Sequence, residues 1–197
     1  RRSTVLAKNG MVATSQPLAA MAGLRTLIDG GNAVDAAVAT ALTLGVVDGF
    51  NSGIGGGCFI LIRRQDGTLL AIDGREMAPA KAHRDMYLDE KGDPIKGKSL
   101  LGHLASGVPG SVDGLLKAWR DHGSGNISLK QVLAPAIKLA DKGFDLSYYE
   151  AERFNRSKER LSQHPETKRI FTIYNVIIGL VYYFWWNTYF WKFIRES

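Results

Sequence analysis

The sequence predicts an α+β fold. Three observations carry it. Residues 58–73 have the pattern of a β-hairpin, several other stretches show helical apolar periodicity ended by glycine, and the order of elements is strand, two helices, hairpin, helices. That order does not alternate as an all-parallel βαβ sheet would. The 197 residues suit one compact domain. An apolar share of 45% and a charged share of 22% are ordinary for a globular chain long enough to bury a core.

In chain order, Gly10 to Ser15 (GMVATS) is short and partly β-branched and predicts a strand. Ser15 is then the expected helix N-cap, with Pro17 in the first turn, where its missing N–H costs nothing. Leu18, Met21, Ala22 and Leu24 to Ile28 supply an apolar stripe, and Asp29-Gly30-Gly31 stops the helix. Asn32 caps the next one, with Asp35 three residues on completing a variant of the capping box. From Ala33 to Val47 nearly every residue is Ala, Val or Leu, and a helix apolar on all faces is buried on all faces. It is too short for a comfortable membrane span. Its alanines let neighbouring layers approach closely.

The run from Asp48 to Gly57 (DGFNSGIGGG) is a loop that needs positive φ or close backbone approach at several glycines. Cys58 to Arg64 is a strand, Gln65-Asp66-Gly67 a turn and Thr68 to Asp73 the returning strand. Pro79 disfavours helix just after it. Leu88 to Lys98, polar and holding Gly92, Pro94 and Gly97, is a surface loop. Val108 to Ser111 turns into a helix with Val112, Leu115, Leu116 and Trp119 on one face and Gly123 as its stop. Ser128 with Gln131 opens a further helix, which Pro135 kinks and Gly143 ends. Ser147 with Glu150 opens a charged helix that runs to about Gln163.

Several function classes fall away. The net charge is +6, but the basic residues are scattered, and the stretch Arg153 to Arg169 is interleaved with Glu159 and Glu166, so no nucleic-acid partner is expected. The glycine-rich loop lacks the Gly-Lys-Ser/Thr of a phosphate loop and precedes a strand instead of a helix, so it predicts no nucleotide cofactor. Cys58 is the one cysteine, starts an apolar strand and has no His nearby, the setting of an inert thiol. His83, His103, His122 and His164 lack the paired spacing of metal ligands, so no metal is expected. Arg75 follows a strand end behind Asp73-Gly74, and an Arg held there could fork onto a substrate carboxylate in a bidentate pair. A salt bridge to Glu76 or Asp73 fits it as well.

Six blocks, in order, resemble γ-glutamyltransferases (glutathione hydrolases): GMVATSQPLA (Gly10 to Ala19), GGNAVDAAVATALTLGVV (Gly30 to Val47), SGIGGGCFILI (Ser52 to Ile62), DGREMAPA (Asp73 to Ala80), HLASGVPGSVDG (His103 to Gly114) and LAPAIKLADKGF (Leu133 to Phe144). The resemblance covers roughly Thr4 to Phe171. It implies the N-terminal, large-subunit part of an N-terminal-nucleophile hydrolase, an αββα sandwich that is incomplete here. It also implies a precursor that cuts itself in two, freeing a Thr whose hydroxyl attacks the γ-glutamyl amide of glutathione. The Thr's own α-amino group serves as base, backbone donors hold the oxyanion, and water or an amine acceptor resolves the γ-glutamyl enzyme. Arg75 matches the large-subunit Arg that resembles a clamp for the γ-glutamyl α-carboxylate, which makes it the substrate-binding residue. No catalytic residue is expected within the chain, because the nucleophilic Thr belongs to the small subunit, the implied partner. Gly55 to Gly57 are expected to shape packing, and Cys58 stands where the family commonly has a small residue. The resemblance implies no cofactor and a periplasmic or extracellular location. No signal peptide is visible at Arg1-Arg2.

The expected organisation is therefore a partial large-subunit domain over residues 1–171 and an unrelated aromatic-rich tail over 172–197. Residues Ile170 to Trp191 carry no charge, and eleven of the nineteen aromatics (8 Phe, 4 Trp, 7 Tyr) lie between Phe171 and Phe193. Two explanations compete. One is out-of-frame translation to an early stop. The other is a membrane helix, since such a stretch spans about 30 Å and is flanked by Lys168, Arg169, Lys192 and Arg195. The break falls inside a domain, where no linker is expected, and this favours the first. The alternative to an enzyme of this family is a non-catalytic remnant attached to a membrane by its tail.

Overall fold

The computed structural model describes residues 3–173, 176 and 177. Its elements are α1 (Pro17–Ile28), α2 (Ala33–Val47), β1 (Cys58–Arg63), β2 (Leu69–Gly74), a short 3-10 turn (His103–Ala105), α3 (Ser111–His122), α4 (Leu129–Lys142), α5 (Tyr148–Leu161), α6 (Pro165–Phe171), β3 (Thr172–Ile173) and β4 (Val176–Ile177). The three capping boxes form as the sequence predicts. Asn32, Ser128 and Ser147 each accept from the N3 backbone, and Asp35, Gln131 and Glu150 answer back. Gly143, at φ 75, ends α4, which runs through Pro135 without interruption.

The alanine-rich α2 is the centre of the molecule. Val38, Ala39, Leu42, Val46 and Val47 are all buried, and α1, α3 and α4 pack around it. A helix apolar on all faces needs cover all round, and helices of the chain itself supply most of it. Close approach is what the small residues provide. A methyl on Gly23 of α1 would collide with Thr40 Oγ1 and stand 3.0 Å from the Ala36 carbonyl. The buried hydroxyls of Thr26, Thr40 and Thr43 are satisfied on their own helices, by the carbonyls of Ala22, Ala36 and Ala39 at 3.0, 2.7 and 2.7 Å.

Three expectations near the N-terminus need correction. Residues Gly10 to Ser15 form no strand, because they have no ladder partner among the described residues. Ser15 is not the cap of α1. Gln16 occupies that position without a side-chain cap bond, and Ser15 Oγ donates instead to Asp48 Oδ2 at 2.9 Å. The apolar stripe of α1 faces the core only in part. Ala19, Ala22, Gly23 and Thr26 are buried, while Leu18, Met21, Leu24 and Ile28 are exposed. Where two helices nearly touch, the face with the smallest residues wins.

The hairpin forms with Cys58 opposite Gly74 and Arg63 opposite Leu69. Ile60, Ile62, Leu70 and Ile72 point towards the helices, while Phe59, Leu61 and Leu69 stand exposed on the other face. The result is one helix layer and a two-stranded piece of sheet whose outer face is apolar and uncovered. Beyond β3 and β4, the tail on which the frameshift and membrane expectations rest lies outside the described residues. Among the described residues no helix is long and apolar enough to cross a membrane.

Candidate functional site

Arg75 follows directly on β2, and the backbone holds it from three directions. Its N–H donates to Asp73 Oδ1 at 3.0 Å, a local turn that fixes the exit from the strand. Behind it, Met77 and Val108 exchange two backbone hydrogen bonds of 3.1 and 2.8 Å. In front, the glycine-rich loop closes over it, so that a methyl on Gly57 would come within 2.8 Å of Arg75 Cα. The side chain is exposed, and its guanidinium lies 5.9 Å from the centroid of the Phe59 ring. Among the described residues no carboxylate pairs with it. The expected alternative of a salt bridge to Glu76 or Asp73 is thus not formed, and five fixed N–H donors face outward.

The loop from Asp48 to Gly57 is tied down at both ends. Asp48, 3% exposed, accepts from Ser15 Oγ and from Asn51 Nδ2 at 3.1 Å, and its carbonyl takes the N–H groups of Asn51 and Ser52. Phe50 sits edge-on to Tyr149 of α5, and Arg153 lies over both rings, at 4.9 and 5.8 Å. At the far end the Gly56 carbonyl accepts from Gly110 and Ser111 at the start of α3, each at 3.0 Å. The expectation of positive φ or close backbone approach at several glycines is met only by close approach, at Gly57. The positive-φ glycines lie at turns elsewhere, and among Gly55, Gly56 and Gly57 only Gly57 is in close contact. Beneath the loop is a cavity of 530 Å³, walled by Ala41, Leu44, Phe50, Cys58, Ser111 and Leu115. Asp48 and the Phe50, Tyr149 and Arg153 cluster escaped sequence reasoning. Their partners are remote in sequence, and only the weak hint of an acid beside a core helix was available.

Cys58 is wedged where two glycines make room. Its Sγ would be 2.9 Å from a methyl on Gly74 and 3.0 Å from one on Gly114. Burial, with a smaller push from the Asp73 charge, raises its thiol above the ordinary value of 9.0. The thiolate is therefore scarce, which agrees with an inert residue. Alkylation by iodoacetamide at pH 8 should run at least about tenfold slower in the native protein than in urea. Equal rates would mean that the thiol is open.

The histidines do not converge. Among the described residues no three His, Cys, Asp or Glu side chains meet in a way that could hold a metal ion. His122 ends α3, and its Nδ1 lies 3.3 Å from Arg64 Nη2, so the ring nitrogen is the acceptor. They border a 920 Å³ groove in which Arg63 and Arg64 are offset by Asp66 and Asp121.

Comparison with known proteins places this arrangement. Residues 19–179 match the family described as Gamma-glutamyltranspeptidase. The glutathione hydrolase proenzyme of Escherichia coli (strain K12) is 46% identical over 168 residues, 85% of this chain and 29% of that protein. Among solved structures, the gamma-glutamyltranspeptidase of Helicobacter pylori superposes with a TM-score of 0.85 at 37% identity, covering 91% of this chain and 51% of that one. The gamma-glutamyltranspeptidase of Pseudomonas nitroreducens, solved in complex with L-DON, gives 0.78 at 37% identity over 84% of this chain and 49% of that one. The chain spans less than a third of the length of the E. coli relative. The α+β expectation holds, and the fold is the N-terminal part of an N-terminal-nucleophile hydrolase sandwich, with one helix layer and a hairpin of the sheet present. The chain belongs to the gamma-glutamyltranspeptidase family.

Proposed function

We propose that these residues form the donor-gripping part of an enzyme that cleaves the γ-glutamyl amide of glutathione or a related compound and passes the γ-glutamyl group to water or an amine. The observation that carries the reading is the match to glutathione hydrolase proenzymes, 46% identical over 85% of the chain in the E. coli case. Arg75 supplies the grip. It stands on a rigid strand end, faces outward and has no carboxylate partner among the described residues, which suits a bidentate pair with the donor's α-carboxylate.

In this reading the reacting groups come from the small subunit. The hydroxyl of its leading Thr adds to the γ-carbonyl carbon and gives its proton to the Thr α-amino group. The C–N bond then breaks, and the departing amine takes that proton. The ester left behind is hydrolysed or aminolysed. Arg75 fixes one end of the donor, so that the carbonyl arrives already oriented.

No Thr in the described core can take the nucleophile's place. Thr26, Thr40 and Thr43 are buried within α1 and α2, with their hydroxyls engaged by backbone carbonyls. The expected result is that the purified 197-residue chain releases no aniline from a chromogenic γ-glutamyl anilide, whereas the chain extended by the remaining sequence of a family proenzyme does. Turnover by the chain alone, abolished by changing one of its own residues, would overturn this reading.

A further inference from the structure

The position of Arg75 is set by backbone packing. Residues 74–77 run between two segments that share small residues and are bound to each other. On one side is Gly57, where a methyl would stand 2.8 Å from both Arg75 Cα and Glu76 N. On the other is Gly110, where a methyl would stand 2.7 Å from the Arg75 carbonyl oxygen and collide with that of Gly74. Gly107, on the same side, is looser: its methyl would lie 3.1 Å from Glu76 Cβ and 3.2 Å from the Met77 carbonyl. The Gly56 carbonyl clasps the two walls together through the N–H groups of Gly110 and Ser111.

Gly110 has φ −119 and ψ −12, a conformation open to any residue. What forbids a side chain there is the neighbouring strand end, not the backbone of Gly110 itself. A glycine demanded by contact with one residue's main chain reports on where that residue must sit.

We propose that Gly110 and Gly57 are positioning residues for Arg75, forming a backbone vice that sets where its guanidinium meets the donor carboxylate. This rests on the reading of Arg75 given above. A bidentate pair tolerates displacements of only about 0.5 Å, and a methyl at Gly110, colliding with the Gly74 carbonyl oxygen, needs the strand end to move by about 1 Å to reach an ordinary contact distance. Gly110→Ala therefore acts on donor binding through Arg75.

The test is a double-mutant cycle in the completed, self-cleaved enzyme, with Arg75→Gln, Gly110→Ala and the pair assayed on a γ-glutamyl anilide. Gly110→Ala is expected to raise KM about tenfold or more while kcat changes less than about threefold. In the Arg75→Gln background it should add less than about twofold, because its target is already gone. Gly107→Ala, which asks less of its neighbours, should give a smaller rise in KM. If Gly110→Ala fails to fold, the same cycle with Gly107→Ala decides. An equal cost with and without Arg75, or no cost at all, would overturn the proposal and leave the glycines as fold residues only. A silent Arg75→Gln would instead sink the reading of Arg75 itself, whatever Gly110 does.

Discussion

Arg75→Gln in the completed enzyme is expected to lower kcat/KM for a γ-glutamyl donor by well over tenfold while leaving self-cleavage intact. Removing one partner of a desolvated Arg–carboxylate pair costs about 2–5 kcal/mol. The glutamine keeps a polar tip but loses the charge, the two-pronged fork and the contact with the Phe59 ring. It leaves the backbone bond to Asp73 and the glycine packing in place, so the fold should be unaffected. Steady-state kinetics on a γ-glutamyl anilide measure the effect, and the appearance of two subunits on a denaturing gel checks maturation. An unchanged kcat/KM would remove Arg75 from the donor site.

Asp35→Ala should give the largest loss of stability, roughly 3 kcal/mol. Asp35 is fully buried at the start of α2, and Oδ2 accepts from Asn32 N at 2.9 Å and from Ser124 N at 3.0 Å. Asn32 in turn donates to the His122 carbonyl at 2.9 Å, so this one corner joins α2 to the end of α3 and the loop after it. Oδ1 has no partner among the described residues and rests where Gly123 lacks a side chain. Truncation strands two backbone donors, at about 1–3 kcal/mol each, and relief of the buried charge returns part of that. Thermal unfolding of a chain this size should begin roughly 6–12 °C lower. Asp35→Asn, which keeps an acceptor oxygen, should lose less. A midpoint within about 1 °C of the parent would show that the corner is not structural.

The contrast between what could and could not be read ahead is physical. The capping boxes at Asn32, Ser128 and Ser147, the stop at Gly143 and the hairpin were legible because each depends on residues within a few positions. Ser15 was misread because its partner, Asp48, is 33 residues away, and the face of α1 because a close helix neighbour favours Gly23 over Leu24. GMVATS has the composition of a strand, but a strand exists only where a ladder receives it. At the candidate site, Arg75 stands out in the sequence by its place at a strand end and by the DGREMAPA block. The glycines that hold it do not, because residues 57, 107 and 110 meet only once the hairpin and α3 have packed. The resemblance supplied what no local pattern could, namely a ligand to propose for an outward-facing Arg.

The most direct measurement is a crystal structure of the completed, self-cleaved enzyme with L-glutamate bound. The expected result is the α-carboxylate gripped by the Arg75 guanidinium through two bonds of about 2.7–2.9 Å, with residues 74–77 still seated between Gly57 and Gly110. A carboxylate held by other residues, with Arg75 remaining over Phe59 and out of reach, would contradict the account.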